Sequence, residues 1–246
     1  MESLLMKCFQ VKNISFSYGK RKIFYNASLN IAPHKVTGLL GANGSGKTTL
    51  FDLMCELAHL SSGELNNTFK KLSYLSQTLM TSPTLKMSDT FNMISALTSS
   101  KPSSLSNAIE KLSRWSPGIV ARYEELWNKK SSICSYGEKR WFFTLSILSL
   151  DSDLLILDEP TAGVDPEFRY YIWQCLRGAA SEGVAIFLSS NSVEEIVNYC
   201  DNFYMLSELK FVEFNSAQQY LDYYKGKCLD EAFINATSRS FQTKTV

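Results

Sequence analysis

One short stretch constrains this chain more than any other. Residues 41–49 read Gly-Ala-Asn-Gly-Ser-Gly-Lys-Thr-Thr. They complete the pattern G-x-x-x-x-G-K-[ST], a phosphate-binding loop. The apolar run Val36–Leu40 before it predicts a buried strand, and Thr48–Leu57 after it predicts a helix. Glycines at 41, 44 and 46 let the backbone curl with its N–H groups inward, around Ala42, Asn43 and Ser45. Lys47 supplies a cation for the β- and γ-phosphates of a nucleotide. Thr48, followed by Thr49, offers a hydroxyl to Mg²⁺. The helix N-terminus adds partial positive charge.

The chain has 246 residues, a formal net charge of +1 and 45% hydrophobic residues. That length suits one α/β domain, 1–246, or a core with a subdomain. A balanced charge gives no reason to expect nucleic acid as a partner. Six cysteines are scattered without a C-x-x-C, which reads as small buried apolar residues or free thiols in a reducing compartment. The two histidines, His34 and His59, are too far apart for a metal site. Met1–Gln10 lacks the apolar segment of a signal peptide. The longest apolar helix candidate, Trp141–Leu150, is shorter than the ~18 residues a membrane span needs. The expectation is a chain soluble by itself, with any membrane role supplied by another chain.

Strands are expected at 8–16 and 22–31 around a Gly19-Lys20 turn, and a strand pair near 63–76. From 78 to about 134 strand-like runs vanish. Helical spacing appears in Ser88–Leu97 and Asn107–Trp115, with a Ser-rich flexible loop, Thr98–Ser106, between them. A helix is predicted from Tyr136 to Leu150, then a buried strand Leu154–Leu157. Asp165-Pro166 starts a helix to about Ala180, with Asp165 as its cap. Strand Val184–Ser189, helix Ser192–Tyr199 and strands Phe203–Leu206 and Phe211–Phe214 follow. The tail is helical from Ser216 and frays after Ser238.

Asp158-Glu159 closes a buried strand. Beside a phosphate loop, Asp158 can hold Mg²⁺ and Glu159 can polarise an attacking water. Ser135 and Glu138 also form an S-x-x-E capping box.

With the segment Cys134-Ser135-Tyr136-Gly137-Glu138, the chain resembles the ABC ATPase family, whose signature usually reads L-S-G-G-Q. The resemblance covers nearly the whole chain. It implies a P-loop NTPase core with a mostly parallel sheet (1–77 and 151–215), an N-terminal antiparallel β subdomain, an inserted helical subdomain (78–150) and a helical tail (216–246). It implies that Tyr18 stacks on adenine, and that Gln77 senses Mg²⁺ and the γ-phosphate. Ser135 and Gly137 would meet a γ-phosphate, and Asp165 ends a turn, 161–165, that communicates across a dimer. The family's switch histidine is replaced by Asn191, which can donate a hydrogen bond but cannot take up a proton or carry a positive charge. Asn191–Asp201 and Cys228–Thr237 look like segments of drug-exporter-type ATPases.

The resemblance implies two subunits placed head to tail around two ATP, with a membrane permease on another chain and a place at the cytoplasmic face of the membrane. The leading reading is the ATPase subunit of an exporter. A nucleotide-dependent switch with little turnover is the alternative, and Asn191 favours it. A soluble relative in translation or DNA repair is a third, but the chain has neither a second core nor a long coiled coil.

Overall fold

The computed structural model describes residues 7–98 and 101–242. Parts of the expected N-terminal segment, of the 98–106 loop and of the tail therefore lie outside the described residues.

Strands β1 (Phe9–Tyr18) and β2 (Arg21–Ile31) alternate buried and exposed positions and pair antiparallel, from Phe9 opposite Ile31 to Tyr18 opposite Arg21. Gly19, at φ +58°, makes the turn between them. The chain then dives into β3 (Val36–Leu40), buried at every position, and leaves through the glycine loop into α1 (Lys47–Met54). This helix is shorter than the expected 48–57. It ends in a Schellman motif: Leu57 N–H donates to Asp52 O at 2.8 Å and Glu56 N–H to Leu53 O at 3.1 Å, with Glu56 at φ +59°.

The expected strand pair near 63–76 is corrected. Its halves enter different sheets. β4 (Ser62–Asn67), polar and largely exposed, pairs antiparallel with β1. β5 (Leu72–Leu75), with more apolar residues, pairs parallel with a central strand. A helical insertion follows: α2 (Met87–Thr98), α3 (Leu105–Trp115), α4 (Val120–Trp127) and α5 (Tyr136–Ser149). Sequence periodicity missed α4, a short helix of mixed polarity between two 3-10 turns. It also began α3 two residues late, because Ser104, read as loop, is its cap. Tyr123 of α4 stacks on Phe142 of α5, with ring centroids 4.7 Å apart.

The core resumes with β6 (Leu154–Asp158), α6 (Pro166–Ser181), β7 (Ala185–Ser189), α7 (Val193–Tyr199), β8 (Asn202–Ser207) and β9 (Lys210–Phe214). The tail is two helices, α8 (Ala217–Tyr224) and α9 (Leu229–Gln242), separated where Lys225 adopts φ +55°. The backbone helix continues to Gln242, into the stretch expected to fray after Ser238.

Two sheets result, β2-β1-β4 and β5-β6-β7-β3-β8-β9, the second parallel except for β9. Alternate residues of the central strands feed opposite cores. Leu155, Leu157, Ile186 and Leu188 face the helices of the insertion and of α6. Leu154, Ile156, Ala185 and Phe187 face α1 and the antiparallel sheet. Burial on both faces explains why these strands are continuous apolar runs.

A non-glycine residue in the left-handed region costs about 1–2 kcal/mol, of which the greater chain entropy of glycine offsets part. Glu56→Gly is therefore expected to stabilise the chain by about 0.5–1 kcal/mol. Thermal unfolding should read this as a rise of roughly 1–4 °C.

Candidate functional site

Strands β3, β6 and β7 are parallel neighbours, so their C-terminal ends open on one edge of the sheet, where open α/β sheets bind ligands. The loop from Gly41 closes on itself through Ser45 N–H to Ala42 O at 3.0 Å. Gly46 is obligatory as the residue before α1. Its φ is +119°, and a Cβ there would lie 2.4 Å from Ile23 Cγ2. Arg21 props the loop from outside, its guanidinium donating to Gly44 O at 2.6 Å.

Lys47 is buried and turns back over the loop. Its Nζ donates to Gly41 O at 2.7 Å and to Asn191 Oδ1 at 3.4 Å. Burial pulls its pKa below the usual lysine value, against the pull of the Glu159 and Asp158 charges. Thr48 Oγ1 donates to Asp158 Oδ2 at 2.6 Å, and Ser189 Oγ donates to Asp158 Oδ1 at 2.5 Å. The same Ser189 oxygen accepts from Glu159 N–H at 3.1 Å. Glu159 leaves the strand at φ +54°, a left-handed conformation held by its surroundings. Burial, first, raises its carboxyl above the ordinary glutamate value. Lys47 pulls it down, Asp158 pushes it up, and the Asn191 amide pulls it down again.

Lys47, Thr48, Asp158 and Glu159 line a cleft of about 440 Å³. Tyr18, Gln77 and Asn191 reach it, as do Asn43, Gly44, Gly46, Lys47, Thr48 and Thr49 from the loop and helix. Asp158 and Glu159 form its acidic wall. Gly41, Ala42 and Ser45 shape the loop without lining the cleft. Ser135, Gly137 and Asp165 are not among its lining residues. Ser135 instead caps α5 in a full box: its Oγ accepts from Glu138 N–H at 3.1 Å, and its N–H donates to Glu138 Oε2 at 2.7 Å. Asp165 sits at the α6 N-cap, but its side chain makes no capping bond, a correction to its expected role. Pro166, which has no N–H to satisfy, starts that helix.

The donor set suits a divalent cation with phosphate. Thr48 and Asp158 supply hard oxygens, and two carboxylates face one ammonium. Ser45 Oγ is buried with no hydrogen-bond partner, a polar atom left over beside the loop.

Four residues of the site escaped the sequence reading. Arg21, Ile23 and Ser189 belong to no local motif. Arg140 is wholly buried. Its guanidinium donates to Glu159 O at 2.9 Å, to Ser76 O at 2.7 Å, to Gln77 O at 3.3 Å and to Asp158 O. The one available signal was its place in the 134–140 run, a cation within a helix otherwise rich in aromatic and aliphatic residues.

A phosphate loop, a threonine–aspartate pair and a glutamate at the strand end make this chain a P-loop nucleoside triphosphatase. The chain belongs to the ABC transporter family, as an ATP-binding subunit: the family model for ABC transporters matches residues 24–162. Protein McbF of Escherichia coli is 31% identical over 220 residues, which are 87% of this chain and 85% of that protein. The lipopolysaccharide export system ATP-binding protein LptB of Acidithiobacillus ferridurans is 26% identical, with 89% of this chain and 94% of that protein covered. A solved ATP-binding subunit of an ABC transporter shares the fold, with a TM-score of 0.78 at 18% identity over 93% of this chain and 98% of that one. No helix among the described residues is long and apolar enough to cross a membrane.

Two outcomes follow. Arg140→Met removes the guanidinium donor shared by four backbone carbonyls, which should cost about 3–5 kcal/mol. Thermal unfolding should drop by roughly 10 °C. Glu159, with its pKa raised, favours folding most when protonated, and that contribution is lost as pH rises through its raised value. Glu159→Gln should therefore melt above wild type at neutral pH without nucleotide, the two converging at about pH 4.

Proposed function

We propose that this chain is the ATPase subunit of an exporter, working as a head-to-tail dimer around two ATP beneath a membrane permease. The observation that carries the reading is the split between the cleft and the capped helix start. The cleft is lined by the phosphate loop, the acidic pair and Asn191, while Ser135 and Gly137 lie outside its lining. A capped helix N-terminus is an anion site with no nucleotide of its own. A second copy, turned head to tail, would bring its phosphates to that end. The export role is supported by the likeness to LptB, whose name states export.

In this reading Tyr18 stacks on adenine, since its half-exposed ring stands at the cleft edge. The loop N–H groups and Lys47 hold the phosphates. Thr48 Oγ1 and the Asp158 carboxylate, with Gln77 nearby, would hold Mg²⁺, which when bound would neutralise phosphate charge. Glu159, its carboxyl raised by burial, accepts a proton from the attacking water. Asn191, already beside Lys47, donates its amide to the γ-phosphate. The γ-phosphate bridges the two copies, so its loss opens the dimer and moves the permease. The chain then acts at the cytoplasmic face of the membrane.

One specific observation favours a slow switch instead. Asn191 stands where it meets Lys47 and Glu159, and an amide cannot take up a proton there. Turnover separates the two readings. Steady-state hydrolysis is measured across a protein concentration series, with Glu159→Gln as the blank. The expected rate per subunit rises with concentration and vanishes in the blank, and Glu159→Gln elutes as a dimer with ATP and Mg²⁺. A Glu159→Gln chain that stays monomeric at saturating nucleotide overturns the sandwich. Intact ATP binding without turnover supports the switch.

A further inference from the structure

The carboxylate of Glu195 takes no part in the cleft, yet it is buried and fully engaged. It lies in the first turn of α7, four residues beyond Asn191. One oxygen, Oε2, accepts from Thr161 Oγ1 at 2.7 Å and from Ser190 Oγ at 3.4 Å. The other, Oε1, pairs with Arg169 of α6 at 3.0 Å. Arg169 in turn donates to Val164 O at 3.2 Å. Ser190 Oγ accepts from Ser192 N–H at 3.0 Å, so the residues on both sides of Asn191 are tied in. The S-x-x-E pattern at Ser192 is thus only half used. Ser192 Oγ accepts from Glu195 N–H at 3.2 Å, but the carboxylate turns away, toward the 161–165 turn.

We propose that Glu195 is a positioning residue that locks the 161–165 turn to the segment carrying Asn191, so that the two loops move as one body. The proposal rests on the dimer reading for its consequence: a partner copy pressing on 161–165 would reset Asn191 in the cleft. Its physical basis is independent of that reading. One buried carboxylate accepts from both loops, and hydrogen bonds to a charged group in a low dielectric are the strong ones.

The test is amide hydrogen exchange on the full chain without nucleotide, in Thr161→Val with Thr161→Ser alongside. Thr161→Val keeps the shape and removes the hydroxyl. Exchange at Ser190–Ser192, which the substitution does not touch, should rise about tenfold. Thr161→Ser should return it toward wild type. The reciprocal variant, Glu195→Gln, should raise exchange at 161–165. Segments that respond only to substitutions within themselves overturn the coupling. The second readout is turnover: Thr161→Val should lower kcat by about 10- to 100-fold, with KM for ATP unchanged. Unchanged kcat, or a KM that rises as kcat falls, overturns the positioning role. Failure of the Glu159→Gln chain to dimerise would sink the dimer reading alone, because the exchange result does not depend on it.

Discussion

The cleft depends on one carboxylate. Asp158 accepts from Thr48 on α1 with one oxygen and from Ser189 on β7 with the other. Three elements distant in sequence are thereby fixed at one point. The arrangement also explains why β6 is buried at every position while ending in an acid. A charge at a buried strand end is tolerable only where it is fully hydrogen-bonded or meets a cation. Here both oxygens have donors, and Lys47 lies close enough to feel its charge. Removing Thr48 or Ser189 would leave that charge under-satisfied, so the loop's position and the acid's hydrogen bonding are one problem.

Arg140 addresses the same problem from behind. Its guanidinium binds the carbonyls of Asp158 and Glu159 on one side and of Ser76 and Gln77 on the other. The acids and the Gln77 segment thus share one rigid backing. A lysine could not do this, because a single ammonium lacks the planar fork that reaches two backbones at once. Glu159 can then be held in a left-handed conformation without any glycine, at a position where the side chain itself is needed.

What the sequence made legible follows from the range of each interaction. The phosphate loop, the acidic pair and the Ser135 capping box are local patterns, and each stands where the residues predict it. Continuous apolar runs marked β3, β6 and β7 for the same reason. Arg140 was opaque because its partners lie 19 and 64 positions away. Ser189 looked like the polar end of a strand, and its partner lies 31 positions earlier. The strand pair expected at 63–76 failed because two adjacent strands went to different sheets, a choice made by tertiary pairing rather than by propensity. Helix α4 was missed because its charged residues and its 3-10 flanks blur the helical period.

The segments around 135–137 and 161–165 are also joined directly. A Cβ on Gly137 would lie 2.2 Å from Gly163 O, and one on Gly163 would lie 3.0 Å from the Tyr136 ring. The α5 start therefore rests on the 161–165 turn, which Glu195 and Arg169 tie to α7 and to Ser190, next to Asn191. A continuous chain of contacts runs from the capped helix end, through that turn, to the cleft wall. In this chain the signature position that usually holds glycine is Tyr136, half-exposed, with its hydroxyl 3.5 Å from Gln77 O. That ring reaches back to the segment backed by Arg140. Two routes thus connect the helix start with the cleft, one through the turn and one through Gln77. In the proposed dimer, a ligand phosphate arriving at Ser135 from the other copy would act on both. Whatever strain it imposes must then be shared between the Asn191 side and the Gln77 side of the same nucleotide site.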